Sequence, residues 1–164
     1  MKRSHHTVRL AAAAVLVVAV AAALGATRAA ANAPTPVTIH EVTVFGTNHQ
    51  PPSGAFTATG LDGCVSGTFS DSLIAFSPSG ARVKVDRSYV CSSGATFTAR
   101  VAIHLGVVAS DGTQTVESTW NIVSSSAGVD GSGSGSGVNT GCSPVGIAFA
   151  ECLASDGSIS AHVH

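Results

Sequence analysis

The stretch VKVDRSYVCSSGATFTARVAIHL at residues 83–105 decides the fold of this chain. Two runs of alternating apolar and polar residues flank Ser92-Ser93-Gly94, a triplet that suits a three-residue loop with glycine in the left-handed region. That loop sets Tyr89 opposite Phe97, Val85 opposite Val101 and Val83 opposite Ile103, so the apolar rows of both runs share one face. The next run, Thr113–Ser124, follows Asp111-Gly112, a dipeptide favoured in two-residue hairpin loops. With such a loop Ile103 faces Trp120, Val101 faces Ile122 and Val107 faces Val116. One apolar face then crosses three consecutive antiparallel strands.

The rest of the chain after residue 33 reads the same way. Further strands are expected at Val37–Phe45, Ala55–Gly60, Cys64–Phe76, Ala81–Cys91, Ala95–Ala109, Val145–Ala154 and Ser158–His164, separated by Asp62-Gly63, Pro78-Ser79-Gly80 and Asp156-Gly157. The last turn pairs Cys152 with Ala161, Ala150 with Val163 and Glu151 with His162. No stretch keeps a 3.6-residue apolar period, which argues against helices. The run GSGSGSG at 131–137 suits either a flexible loop or a strand against bulky neighbours. It has no lysine or helix start after it and is no phosphate-binding loop. The fold class is all-β: a single antiparallel barrel of about eight strands, with a β-sandwich as the alternative.

Residues 1–33 read as a secretory signal peptide and 34–164 as the barrel domain. Lys2, Arg3 and Arg9 precede an uninterrupted apolar stretch, Leu10 to Leu24. Ala31-Asn32-Ala33 then fits the small-residue cleavage pattern, with the cut after Ala31 or Ala33. Fifteen apolar residues fall short of the roughly 20 that span a bilayer, so no stable membrane anchor is expected. Beyond Ala33 the chain carries four basic and nine acidic side chains, a formal charge of −5. That balance argues against nucleic acid as a partner. The expected location is secreted and extracellular. Cys64, Cys91, Cys142 and Cys152 agree with it, since an even number in an exported chain reads as two disulfides. Of the three connectivities, Cys64–Cys91 with Cys142–Cys152 is preferred because each closes a short segment. No C-x-x-C occurs, which weighs against a zinc ribbon or redox site.

Arg87 is the chemical oddity of the inward row, between Val85 and Tyr89 and opposite Ala99. A buried guanidinium requires a partner, and Glu41, in the row Val37, Ile39, Glu41, Thr43, Phe45, is the candidate. Arg87, Tyr89 and Glu41 are therefore the candidate ligand-binding residues, against the plainer reading of a structural ion pair. His162 and His164 share a strand face, but no third ligand accompanies them, and no metal or other cofactor is expected. His104 sits on the polar face opposite Thr119. No G-x-S-x-G elbow is present, and no catalytic residue is assigned.

Three segments carry a family resemblance: GLDGCVSGTFSD at 60–71, YVCSSGATFTARV at 89–101 and TWNIVSSSAGVDGSG at 119–133. With them the chain resembles small secreted actinobacterial proteins whose barrels are like those of allene oxide cyclase and dirigent proteins. Such sequences carry a W-x-V strand leading into G-T-G-x-Y; this chain keeps Trp120 and the glycines but lacks that tyrosine. The resemblance implies an eight-stranded barrel able to hold a small apolar molecule, and carries over no catalytic residue. The expectation is a non-enzymatic secreted barrel binding a small hydrophobic ligand or a cell-envelope component. The alternatives are a dirigent- or cyclase-like protein that steers a reactive molecule, or a purely structural envelope module. Oligomeric state is left open by the sequence.

Overall fold

A computed structural model describes residues 34–45, 52–126, 128–145 and 149–164. The expected signal peptide lies outside the described residues. Eight antiparallel strands close into a barrel, and no helix occurs among the described residues. They are β1 (Thr35–Val44), β2 (Ser53–Thr59), β3 (Ser66–Phe76), β4 (Arg82–Cys91), β5 (Thr96–Leu105), β6 (Gln114–Ser125), β7 (Gly131–Thr140) and β10 (Ala154–Val163). Each pairs with the next in sequence, and β10 closes the sheet between β7 and β1. Closure leaves no free sheet edge and replaces the sandwich alternative. A two-stranded hairpin, β8 (Ser143–Val145) with β9 (Phe149–Glu151), is inserted between β7 and β10.

The β4–β5 register is the expected one: Tyr89 pairs with Phe97, Arg87 with Ala99, Val85 with Val101 and Val83 with Ile103. Its loop closes as predicted, with Cys91 N donating to Ala95 O and Gly94 at φ 89°. The β5–β6 register differs. Val101, not Ile103, faces Trp120, Ala99 faces Ile122, and Leu105 rather than Val107 faces Val116. Ser110-Asp111-Gly112 forms a three-residue loop, in which Ala109 N donates to Thr113 O and Gly112 takes φ 77°. Asp111 fixes it by accepting from the Thr113 amide (3.0 Å) and hydroxyl (2.7 Å). The shift is two residues, and side chains alternate with period two, so every apolar residue keeps its face. His104 consequently sits opposite Glu117 rather than Thr119.

The C-terminal expectation is overturned more thoroughly. Asp156-Gly157 lies inside β10, where Gly157 pairs with Glu41 on one side and Gly137 on the other. The chain has already reversed at the β8–β9 hairpin, whose base Cys142–Cys152 closes. Ala161 thus pairs with Val37 and Gly133, Val163 with Thr35 and Gly131, and His162 with Pro36 and Ser132. Cys152, Ala150 and Glu151 pair with none of them. The seventh barrel strand is the glycine run, not Val145–Ala154.

Strand β7 explains that choice. Its odd-numbered glycines face inward and its serines outward. Gly133 stands directly between Trp120 and Ala161. A Cβ there would lie 2.3 Å from the Ser160 carbonyl oxygen and 2.6 Å from the Ala161 Cα. Glycine lets the largest side chain of the core and the neighbouring strand meet at that level.

Candidate functional site

The inward rows are filled at one end of the barrel and hollow at the other. Phe56, Phe69, Tyr89, Phe97 and Trp120 pack together in the filled half, with Val37, Ile39, Ile122, Ala161 and Val163 around them. Tyr89 stacks on Phe97 with centroids 4.3 Å apart, and Phe56 meets the Tyr89 ring edge-on at 5.2 Å. Cys64–Cys91 staples this end. A cavity of about 640 Å³ occupies the other half, where β1, β3, β5 and β7 finish and β2, β4, β6 and β10 begin. Its walls are Val83, Val85, Val101, Ile103, Val116 and Ile159, with Ser118, Gly137 and Gly157 supplying little or no side chain. The two glycines face each other on adjacent strands, immediately beside Glu41.

Where the halves meet lies a polar layer built by three strands. Arg87 on β4 donates from Nε and Nη2 to both oxygens of Asp71 on β3, at 2.6 and 2.7 Å. Its Nη1 donates to Oε2 of Glu41 on β1. Tyr89 donates its hydroxyl to the other Glu41 oxygen at 2.5 Å, and Trp120 Nε1 donates to the Tyr89 oxygen at 3.0 Å. The Arg87 guanidinium lies 4.6 Å from the centre of the Phe69 ring, a cation–π contact. Glu41, Asp71 and Arg87 all border the cavity, and each is less than a tenth exposed.

The charges do not balance. One guanidinium stands against two carboxylates in a water-poor setting. Burial pushes the Glu41 carboxyl above its usual range; Arg87 and the Tyr89 hydroxyl pull it down, and the Asp71 charge adds to the rise. Burial also raises the Tyr89 hydroxyl well above its ordinary value, helped by the Glu41 charge. For Arg87 burial acts downward, but the hydrogen bonds and charges of Asp71 and Glu41 outweigh it and keep the guanidinium ionised.

The three residues singled out from the sequence thus meet in one network. Asp71 was missed, and the reason is a β-bulge. Next to the turn at residues 77–80, Phe76 pairs with Val83 and Ala75 with Lys84. Continued unbroken, that register would set Arg87 opposite Ser72. One extra residue, Ile74, shifts the pairing so that Leu73 meets Val85 and Asp71 meets Arg87.

At the open end, Gln114 Nε2 donates to Gly106 O (2.9 Å) and Asn139 Nδ2 donates to Gln114 Oε1 (3.0 Å), beside Cys142–Cys152. The hairpin above that disulfide contributes Ser143 and Glu151 to the lining. Two disulfides, in the connectivity preferred from the sequence, are consistent with an extracellular protein. No cluster of three metal-ligating side chains occurs among the described residues. No protein-family profile matches this chain, and neither does any curated protein or solved structure.

Proposed function

We propose that this is a secreted β-barrel that carries a small, largely apolar ligand in the open half of its interior. The observation that carries the reading is the cavity itself. About 640 Å³, walled by valine and isoleucine with a few polar groups at its base, lies within the range of small-molecule sites. A purely structural envelope barrel requires no such space, and the aromatic half demonstrates how this fold fills its interior when packing is the only demand. The basic residues and apolar run at the N-terminus support export, as do the disulfides. The resemblance to barrels of the allene oxide cyclase and dirigent kind supports the same class of ligand.

Steering of a reactive molecule remains the second reading, favoured by one observation: the Glu41 carboxyl, hydrogen-bonded to Tyr89, borders the cavity. Fold likeness alone assigns no reaction.

Native mass spectrometry of the protein secreted by its own host, without reductant, tests the carrier reading. The expected result is a polypeptide lacking its leader, four protons lighter for two disulfides, with a defined adduct that leaves on denaturation. A bare polypeptide that also binds none of a panel of apolar molecules would overturn it.

A further inference from the structure

Two carboxylates and one guanidinium form the floor of the cavity, and their hydrogen bonding is uneven. Arg87 has five N–H donors and commits three of them to Glu41 and Asp71. Each carboxylate offers about four lone-pair sites. Glu41 uses one on each oxygen, for Arg87 and Tyr89, and Asp71 uses one on each oxygen for Arg87. The floor therefore keeps more acceptor than donor capacity, together with an excess negative charge. Higher in the cavity the polar groups are amides, hydroxyls and Glu151, so no second cation stands among the described lining residues. The Gln114 and Asn139 amides are tied to each other and to a backbone carbonyl.

From this geometry we infer that the cavity takes an apolar amine, its protonated nitrogen directed to the Glu41–Asp71 floor and its hydrocarbon against the valine and isoleucine walls, and that it rejects the corresponding carboxylate. The inference rests on the carrier reading and names its ligand class. An ammonium group supplies both things the floor lacks: hydrogen-bond donors and a compensating charge. A carboxylate supplies neither. It would face two like charges across a low-dielectric space, and Arg87 is already shared between those same charges. The upward displacement of the Glu41 carboxyl is in keeping with an under-compensated floor, as Asp71 raises it and only Arg87 and Tyr89 oppose. Apolar length alone would not discriminate among ligands, because the walls are uniformly aliphatic.

Isothermal titration of the ligand-stripped, disulfide-bonded protein at neutral pH, with decylamine, decanol and decanoate below their aggregation limits, tests the inference. The amine should bind about tenfold more tightly than the alcohol, a difference within reach of one buried charge contact. Decanoate should bind more weakly than both. In Glu41→Gln the ratio of amine to alcohol affinity should fall by about the same factor. Should that variant fail to fold, the ranking of the three probes on the unaltered protein decides by itself. Equal binding of amine and alcohol, or tightest binding of decanoate, overturns the amine assignment and leaves the carrier reading standing. Binding of none of the three overturns both.

Discussion

The two halves of the barrel are built on the same strands, with the same alternation, yet one is solid and the other hollow. Inward positions of β4, β5 and β6 in the filled half are Tyr89, Phe97, Trp120 and Ile122; in the open half they are Val83, Val85, Ile103, Val116 and Ser118. Barrel closure fixes the diameter, and an eight-stranded barrel has just enough interior for side chains to fill. Whether it is filled depends on side-chain volume at each level. Five of the eight aromatic residues of the chain are gathered at one end. The other end combines β-branched walls with Gly137 and Gly157, and space results. Between the two, the layer of Arg87, Glu41 and Asp71 belongs to both: it caps the aromatic core and floors the cavity.

That contrast can be broken by experiment. Trp120→Ala removes a fully buried ring and should cost about 3–5 kcal/mol in urea unfolding. Ile103→Ala, on a wall that already borders empty space, should cost well under half as much. Equal losses would mean that the open half is as tightly packed as the aromatic half. Arg87→Met should approach the larger figure, about 3–5 kcal/mol, because it leaves Glu41 and Asp71 buried together without their cation. Neutralising both carboxylates in the same chain, as Glu41→Gln with Asp71→Asn, should recover most of the loss. Failure to recover would show that the arginine stem, not the charge, holds the layer.

The disulfides sharpen the comparison from outside the core. Cys64–Cys91 spans 27 residues at the filled end, and its removal should cost about 3–4 kcal/mol by loop-closure entropy. Cys142–Cys152 spans 10, and its removal should cost about 2–3 kcal/mol. The second should weaken ligand binding and the first should not, since only Cys152 lines the cavity. Paired titrations of the two double-serine variants read this directly. A smaller effect, about 1–3 kcal/mol, is expected for Gly133→Ala, whose new methyl would press on the β10 backbone.

The finest test is pH. The Glu41 carboxyl is raised in the folded protein, chiefly by burial, so the native state binds its proton more tightly than the unfolded chain does. Stability should therefore fall as pH rises from the ordinary carboxylate range through the raised native value, and then level off. Glu41→Gln should remove that slope. A slope unchanged in the variant would assign the titration to another group.

Much of this was legible in local pattern. Around Ser92-Ser93-Gly94 the turn chemistry, the alternation and the burial all agree, and the register of β4 with β5 follows from them. Arg87 stood out because it interrupts an apolar row, and Glu41 because it sits in another. Asp111-Gly112 misled by two residues, because the Asp111 side chain captures Thr113 and lengthens the loop. Asp156-Gly157 misled entirely. A dipeptide that favours a turn forms one only where the chain has not already reversed, and here Cys142–Cys152 closes the reversal upstream. Its glycine serves instead as thin cavity wall.

The sequence by itself determined which residues face inward, because alternation and short turns act over a few residues and tolerate a slip of two. It also marked the buried arginine and the four cysteines. Tertiary structure decided the rest. Only closure of the sheet places β10 between β7 and β1 and makes the glycine run a strand beside Trp120. Only the bulge at Ile74 turns Asp71 toward Arg87. The cavity, too, exists only in three dimensions: it is volume left over when small side chains from seven strands meet, and no segment carries that sum alone.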